Sequence, residues 1–211
     1  SLQRAQRATD DGSFAVEIAP QVVHARNGDV QVEIDEQPGK ANLDKIPRLK
    51  PAFRADGTVT AANSSSISDG AAALVLARAS VANDIGLHAR ARIVAHTTHA
   101  QEPAWFTTAP VAAISKLLAR SGWRIDDVDL FEINEAFAVV TMAAVRELGL
   151  DEDKVNINGG ACALGHPIGA SGARIIVTLL AALERHNLRR GVAALCIGGG
   201  EATAIAIERL G

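Results

Sequence analysis

Gly165-His166-Pro167 is the first place in this sequence where residue types suggest chemistry. Pro167 lacks a backbone N–H and biases His166 away from the α region. Glycines at 159, 160, 165, 169 and 172 let the backbone approach a ligand closely. A histidine so placed at a helix entrance can present Nε2 to a substrate oxygen. The plainer reading is a loop histidine that caps the helix. Cys196, in Cys196-Ile197-Gly198-Gly199-Gly200, is the second place. It ends the apolar run Val192 to Leu195, which reads as a buried strand, and in α/β sheets that end faces the ligand crevice. The glycines after it can turn N–H groups inward, as an oxyanion hole requires. The alternative is a small cysteine packed in the core. Cys162, flanked by alanines in the glycine-rich loop, reads as packing.

Two polar groups stand beside these. Asn134 lies at a strand-to-helix junction, where it is either a helix N-cap or an amide that orients water or substrate. Asn63 with Ser64, Ser65 and Ser66 precedes an apolar run. Such a loop can hydrogen-bond an amide-rich ligand or be an exposed turn.

The elements that position these residues follow from periodicity. Ser1 to Asp11 is helical in pattern, with no start signal before it, as in a chain continuing from something longer. Phe14 to Val23 and Gly28 to Ile34 alternate as two short strands around Asn27-Gly28. Glu36 to Phe53, with three prolines and four Lys/Arg, reads as an irregular loop with at most one helical turn. Ala71 to Ala77 suits a buried strand, and Ser80 to Gly86 a short helix. Then come a strand at Arg90–Ala95, a helix at Val111–Ser121, a strand at Asp127–Ile133 and a helix at Glu135–Gly149. The glycine-rich stretch Asn156–Gly172 leads into a helix from about Gly169 to His186. Strands at Gly191–Ile197 and Ala202–Glu208 are close enough to pair as a hairpin. Helices alternating with strands predict an α/β layered domain from about His88 onward.

Composition sets the limits. The chain has 211 residues, 48% hydrophobic and 21% charged, enough for a substantial core. A formal net charge of -3 gives no sign of nucleic-acid binding. Two cysteines without C-x-x-C spacing imply neither a metal site nor a disulfide framework. A reducing, cytoplasmic setting is the default. No apolar run is long enough to span a membrane.

Taken together, Asn134-Glu135-Ala136-Phe137-Ala138, the stretch Gly159 to Arg174 and Cys196 to Ala202 resemble the thiolase family in order and separation. Leu49 to Phe53, Asp56 to Leu74 and Glu102 to Pro110 resemble it too. The likeness spans the whole chain and the second half of a typical family member. It implies an αβαβα thiolase-like fold, here a C-terminal half plus remnants of the rest. Residues 1–67 would be part of the loop domain that binds coenzyme A. Residues 68–88 would be the last strand and helix of the N-terminal domain, and 89–211 the C-terminal domain.

The resemblance also implies a reaction: Claisen condensation of acyl-coenzyme A thioesters, or its thiolytic reverse, with no cofactor and no metal. Cys196 matches the base that moves the α-proton. His166 matches the residue that activates the nucleophile and binds a thioester oxygen. Asn134 matches the holder of a water at that oxyanion site, and the Gly198 N–H matches a donor of the second oxyanion site. Ser65, with Asn63 in its loop, matches the contact to the pantetheine arm, and Trp105-Phe106 the pocket lining. The arginine that many members place near the nucleotide has no clear match; Pro38-Gly39-Lys40 occupies that region, with Lys40 a loose substitute. Neither cysteine matches the acylated nucleophile, which is expected upstream of Ser1. A homodimer or homotetramer is the expected assembly. A thiolate base calls for a nearby cation or dipole, so Cys196 is expected close to His166. Two other readings stand beside this: a non-catalytic coenzyme A-binding or assembly module, and a ketoacyl synthase relative. The second is disfavoured because those enzymes carry His or Asn where Cys196 stands.

Overall fold

The computed structural model describes residues 1–211. Helix α1 (Leu2–Asp10) opens the chain and buries Ala5 and Ala8 against the glycine-rich loop. Arg4 and Arg7 fasten it there by donating to the carbonyls of Val155 and Ile157. At Gly159 (φ +81°) a Cβ would sit 2.8 Å from that of Ala5, so the contact needs glycine. Strands β1 (Gln21–Ala25) and β2 (Gly28–Val32) form an exposed antiparallel hairpin with Val23 opposite Val30. Two short helices follow, α2 (Gln37–Lys40) and α3 (Ala79–Asp84).

The core is a four-stranded sheet of β3 (Ala91–Ala100), β4 (Leu130–Ile133), β5 (Arg190–Ile197) and β6 (Glu201–Arg209). Its order is β3-β6-β5-β4; β4 and β5 are parallel and the other pairs antiparallel. Helices α4 (Ala109–Ser121) and α5 (Ala138–Leu148) cover one face. Ile114, Leu117 and Val140 pack there on Phe131, Ile133, Val192 and Ala194. After the four-residue α6 (Ala161–Leu164), α7 (Ser171–Arg185) covers the other face. Its Ile175, Leu179 and Leu183 meet Leu130, Ala193 and Ile207. Alternate residues of each strand thus serve alternate cores, and burial of each large side chain contributes roughly 2 kcal/mol. The layers are α-β-α, as expected for one half of the αβαβα arrangement. Thr97 joins strand to helix, its buried hydroxyl donating to the Ala113 carbonyl at 2.8 Å. Thr97→Val is expected to lower the unfolding free energy by about 1 kcal/mol in urea titrations.

Gly122 and Gly149 end α4 and α5, each in the left-handed conformation. The β5–β6 hairpin holds as well. Other expectations fail for stated reasons. Phe14 to Val23 is not one strand: residues 11–17 turn around a buried Phe14, and the strand starts only after Pro20. Ala71–Ala77 is neither paired nor buried; Val75 is 90% and Leu76 73% exposed. An apolar run becomes a strand only beside another strand, and none lies next to it. The loop from Glu36 to Phe53 holds more than one turn: α2 and a 3-10 helix at Leu43–Arg48.

Candidate active site

The parallel register pairs Ile133 with Ala194, so β4 and β5 end together. Asn134 extends the ladder one step, its N–H donating to the Ala194 carbonyl at 2.9 Å. Asn134 is therefore not the N-cap of α5, which starts at Ala138 with Phe137 at the cap. The reason lies in the serine loop. Both the N–H and the hydroxyl of Ser65 donate to the Ala136 carbonyl, at 3.1 and 3.0 Å, and Ser64 bridges Phe137. This pairing keeps residues 134–137 out of the helix.

The same loop reaches the histidine. Ile67 bridges His166, whose N–H donates to the Ser66 carbonyl at 2.9 Å. His166 Nδ1 lies 2.6 Å from Ser171 Oγ, and Nε2 lies 3.4 Å from Asn134 Nδ2. Burial, with the Arg174 guanidinium adding to it, holds the imidazole below its ordinary pKa of 6.5. The ring is thus neutral at neutral pH and offers one lone pair. Asn134 is almost wholly buried, and its Oδ1 has no protein partner. A buried amide oxygen without a partner is costly unless water or ligand fills the place.

Cys196, two residues beyond Ala194, occupies the same strand ends and shares the core face of Val192 and Ala194. No hydrogen bond links it to His166. Burial pushes its thiol up to about 11, and no cation counters this. The expected lowering is therefore corrected: Cys196 belongs to the apolar core cluster, and its burial outweighs its backbone hydrogen bond. Gly198 stands in the turn between β5 and β6; its N–H bonds to no atom of the chain, and space is open before its Cα. Gly200 (φ +96°) shapes that turn, since a Cβ there would lie 2.3 Å from the Gln101 carbonyl oxygen.

Phe137 stands at the centre of an aromatic group, with its ring centroid 6.4 Å from Phe106 and 6.3 Å from Phe53. Trp105, next to Phe106 in sequence, is 59% exposed. Asn63 is spent on its own loop, accepting from the Thr60 N–H and donating to the Thr58 carbonyl. Lys40 pairs with Glu36 at the surface, 3.0 Å away. Cys162 is half-buried beside Glu135. Its N–H and sulfur face Glu135, and burial together with that carboxylate pushes the thiol up to about 12. Phe53, Phe137 and Ser171 belong to this region although sequence reading did not single them out; all three lie inside motifs it did quote.

Residues 87–209 match the family described as thiolase, C-terminal domain, and residues 1–80 match thiolase, N-terminal domain. The cytosolic acetyl-CoA acetyltransferase of Mus musculus is 51% identical over 99% of this chain and 53% of its own length. A probable acetyl-CoA acetyltransferase of Dictyostelium discoideum is 49% identical over 100% of this chain and 51% of its own. The acetyl-CoA acetyltransferase of Bacillus anthracis superposes with a TM-score of 0.95 at 44% identity, over 100% of this chain and 54% of that one. A thiolase of Ascaris suum in complex with coenzyme A gives 0.87 at 41% identity, over 99% and 53%. The chain thus spans about half the length of these relatives. Sequence and fold agree from end to end, and on that ground the chain belongs to the thiolase family.

Proposed function

We propose that this chain supplies the acid/base side of an acyl-CoA C-acyltransferase site of the acetyl-CoA acetyltransferase type. The reaction is the condensation of two acetyl-CoA to acetoacetyl-CoA, or the thiolytic cleavage of 3-ketoacyl-CoA. One observation carries this reading: the His166–Asn134 contact at the ends of β4 and β5, with Cys196 on the neighbouring strand end.

In condensation the coenzyme A thiolate that leaves when the nucleophile is acylated takes the Cys196 proton, and the Cys196 thiolate so formed takes an α-proton from the second acetyl-CoA. The C–H electron pair moves into the enolate, whose oxygen gathers the charge. Donors at His166 and at a water on Asn134 stabilise that oxygen. The enolate carbon then attacks the acyl group carried on a nucleophilic sulfur; the carbon–sulfur bond breaks and a thiolate leaves. The Gly198 N–H serves the oxyanion of that step. Neutral His166 first takes the nucleophile's proton at Nε2 and then, as imidazolium, becomes a donor. A thiol as weakly acidic as Cys196 is a strong base once ionised and readily returns its proton in cleavage.

In this reading neither cysteine of this chain is the nucleophile: Cys162 faces Glu135 and Cys196 is the base. That sulfur belongs to residues outside the chain. Ser65 spends its proton on Ala136, so only its lone pairs remain, which suits an amide N–H of the pantetheine arm. Phe106, Trp105, Phe137 and Phe53 line the acyl and pantetheine side, and Lys40 is the cation assigned to the nucleotide end. No helix is long and apolar enough to cross a membrane. A homodimer or homotetramer in a cytoplasmic setting completes the reading, the setting supported by the cytosolic mouse relative.

The purified 211-residue chain alone is expected to show no acetoacetyl-CoA thiolysis, whereas the natural protein that contains it cleaves this substrate. Turnover by the chain alone would overturn the placement of the nucleophile. Coenzyme A binding without turnover by the natural protein would favour the non-catalytic module.

A further inference from the structure

We infer that Ser171 is a positioning residue that fixes the tautomer of His166: the proton on Nδ1, and a bare lone pair on Nε2 facing Asn134. The consequence for catalysis rests on the proposed function, but the tautomer is a property of the chain itself. Ser171 opens α7 and is fully buried, yet its side chain caps nothing on that helix. Its hydroxyl turns back instead, 2.6 Å from His166 Nδ1 and 3.0 Å from the Pro167 carbonyl oxygen.

A hydroxyl has one proton to give. Were it given to Nδ1, the oxygens of Ser171 and Pro167 would face each other at 3.0 Å with no hydrogen between them. Given to Pro167, it makes both contacts hydrogen bonds, and Nδ1 must then be the donor. The backbone of His166 is pinned independently by Ser66, so the ring hangs between two fixed points. The charged group that acts on the ring is Arg174, one turn further along α7. A cation there disfavours the imidazolium, so the ring stays neutral and takes one tautomer. With Nε2 bare, His166 can accept the nucleophile's proton without rearranging. With a proton on Nε2 it could not.

The test is nitrogen NMR of the 211-residue chain labelled with 15N-histidine, at a pH above the ring's titration. The His166 signals are those that vanish in His166→Gln. The wild type should show a protonated, pyrrole-type Nδ1 and a pyridine-type Nε2. In Ser171→Ala the ratio of the two tautomers should move toward Nε2–H by roughly three- to tenfold, the factor of one ordinary hydrogen bond. Ser171→Thr, which keeps the hydroxyl, should restore it. Alanine suits a helix well, and far-UV circular dichroism checks that the fold is kept. A pyridine-type Nδ1 in the wild type overturns the inference without reference to any variant. An unchanged ratio in folded Ser171→Ala does so as well. Absence of thiolysis in the natural protein would sink the proposed function and leave the tautomer untouched.

Discussion

Cys196→Ser, made in the natural protein that carries this chain, is expected to lower both condensation and thiolysis by at least about 100-fold, roughly 2.7 kcal/mol of barrier. The thiol already ionises only near 11 in its apolar place, and a hydroxyl there would ionise far higher. The α-proton then has no base to go to. Serine is little smaller, but its hydroxyl in this apolar place costs roughly 1–3 kcal/mol of stability, so circular dichroism must show that the variant is folded. His166→Ala should cost at least as much, because it removes the Nε2 lone pair and the later donor together. Its partner Asn134 would then face an empty place. Cys162→Ser is the control: that sulfur points at the Glu135 carbonyl and should matter little to rate. Two measurements separate the steps: kcat/KM for acetoacetyl-CoA thiolysis, and exchange of the acetyl-CoA methyl protons with deuterated solvent. Near-normal turnover after Cys196→Ser or His166→Ala refutes the assignment of these residues.

The motifs that place this chemistry were legible in the sequence because each combines local backbone demands with reactive groups. Glycine stops at Gly122 and Gly149, and the glycine turn after Cys196, are local requirements of the chain. What stayed hidden depends on distant partners. The delayed start of α5 comes from Ser65, 71 residues earlier, capturing the Ala136 carbonyl. The exposure of Ala71–Ala77 reflects the lack of a strand beside it, which no property of its own residues reveals. Ser171 resembles any residue of a helical first turn until the backbone brings its hydroxyl to the imidazole. The high pKa of Cys196 was hidden too, since it depends on which face of β5 the sulfur occupies.

Stability of the chain is expected to fall as pH rises from about 6.5 to about 8, and the cause lies one layer beneath the site. Glu132, two residues before Asn134 on β4, is buried, and desolvation pushes its carboxyl up to about 8 against the pull of Arg174. That guanidinium is 3.9 Å away, too far for a hydrogen bond, and its Nε and Nη1 have no partners. Glu17, also raised by burial to about 7, accepts from Thr178 while its Oε2 has no partner. Both carboxyls hold their protons more tightly folded than unfolded, where the value is 4.5. Their stabilisation is full below 4.5 and is lost as pH passes through 7 and 8. His166, held below 6.5, acts in the opposite sense but only below that pH. Glu184 and Glu208, with lowered values, act below 4.5. Within the window Glu132 alone accounts for ~2 kcal/mol. Glu132→Gln keeps the shape and removes the titration, leaving Arg174 to Glu17. The variant should match the wild type near pH 4.5 and gain on it by roughly 1.4 kcal/mol per pH unit up to about pH 8, read from urea midpoints. Parallel pH profiles for the two proteins would show that Glu132 is ionised throughout. Arg174 would then compensate a buried carboxylate without touching it, a poor geometry for an ion pair removed from water.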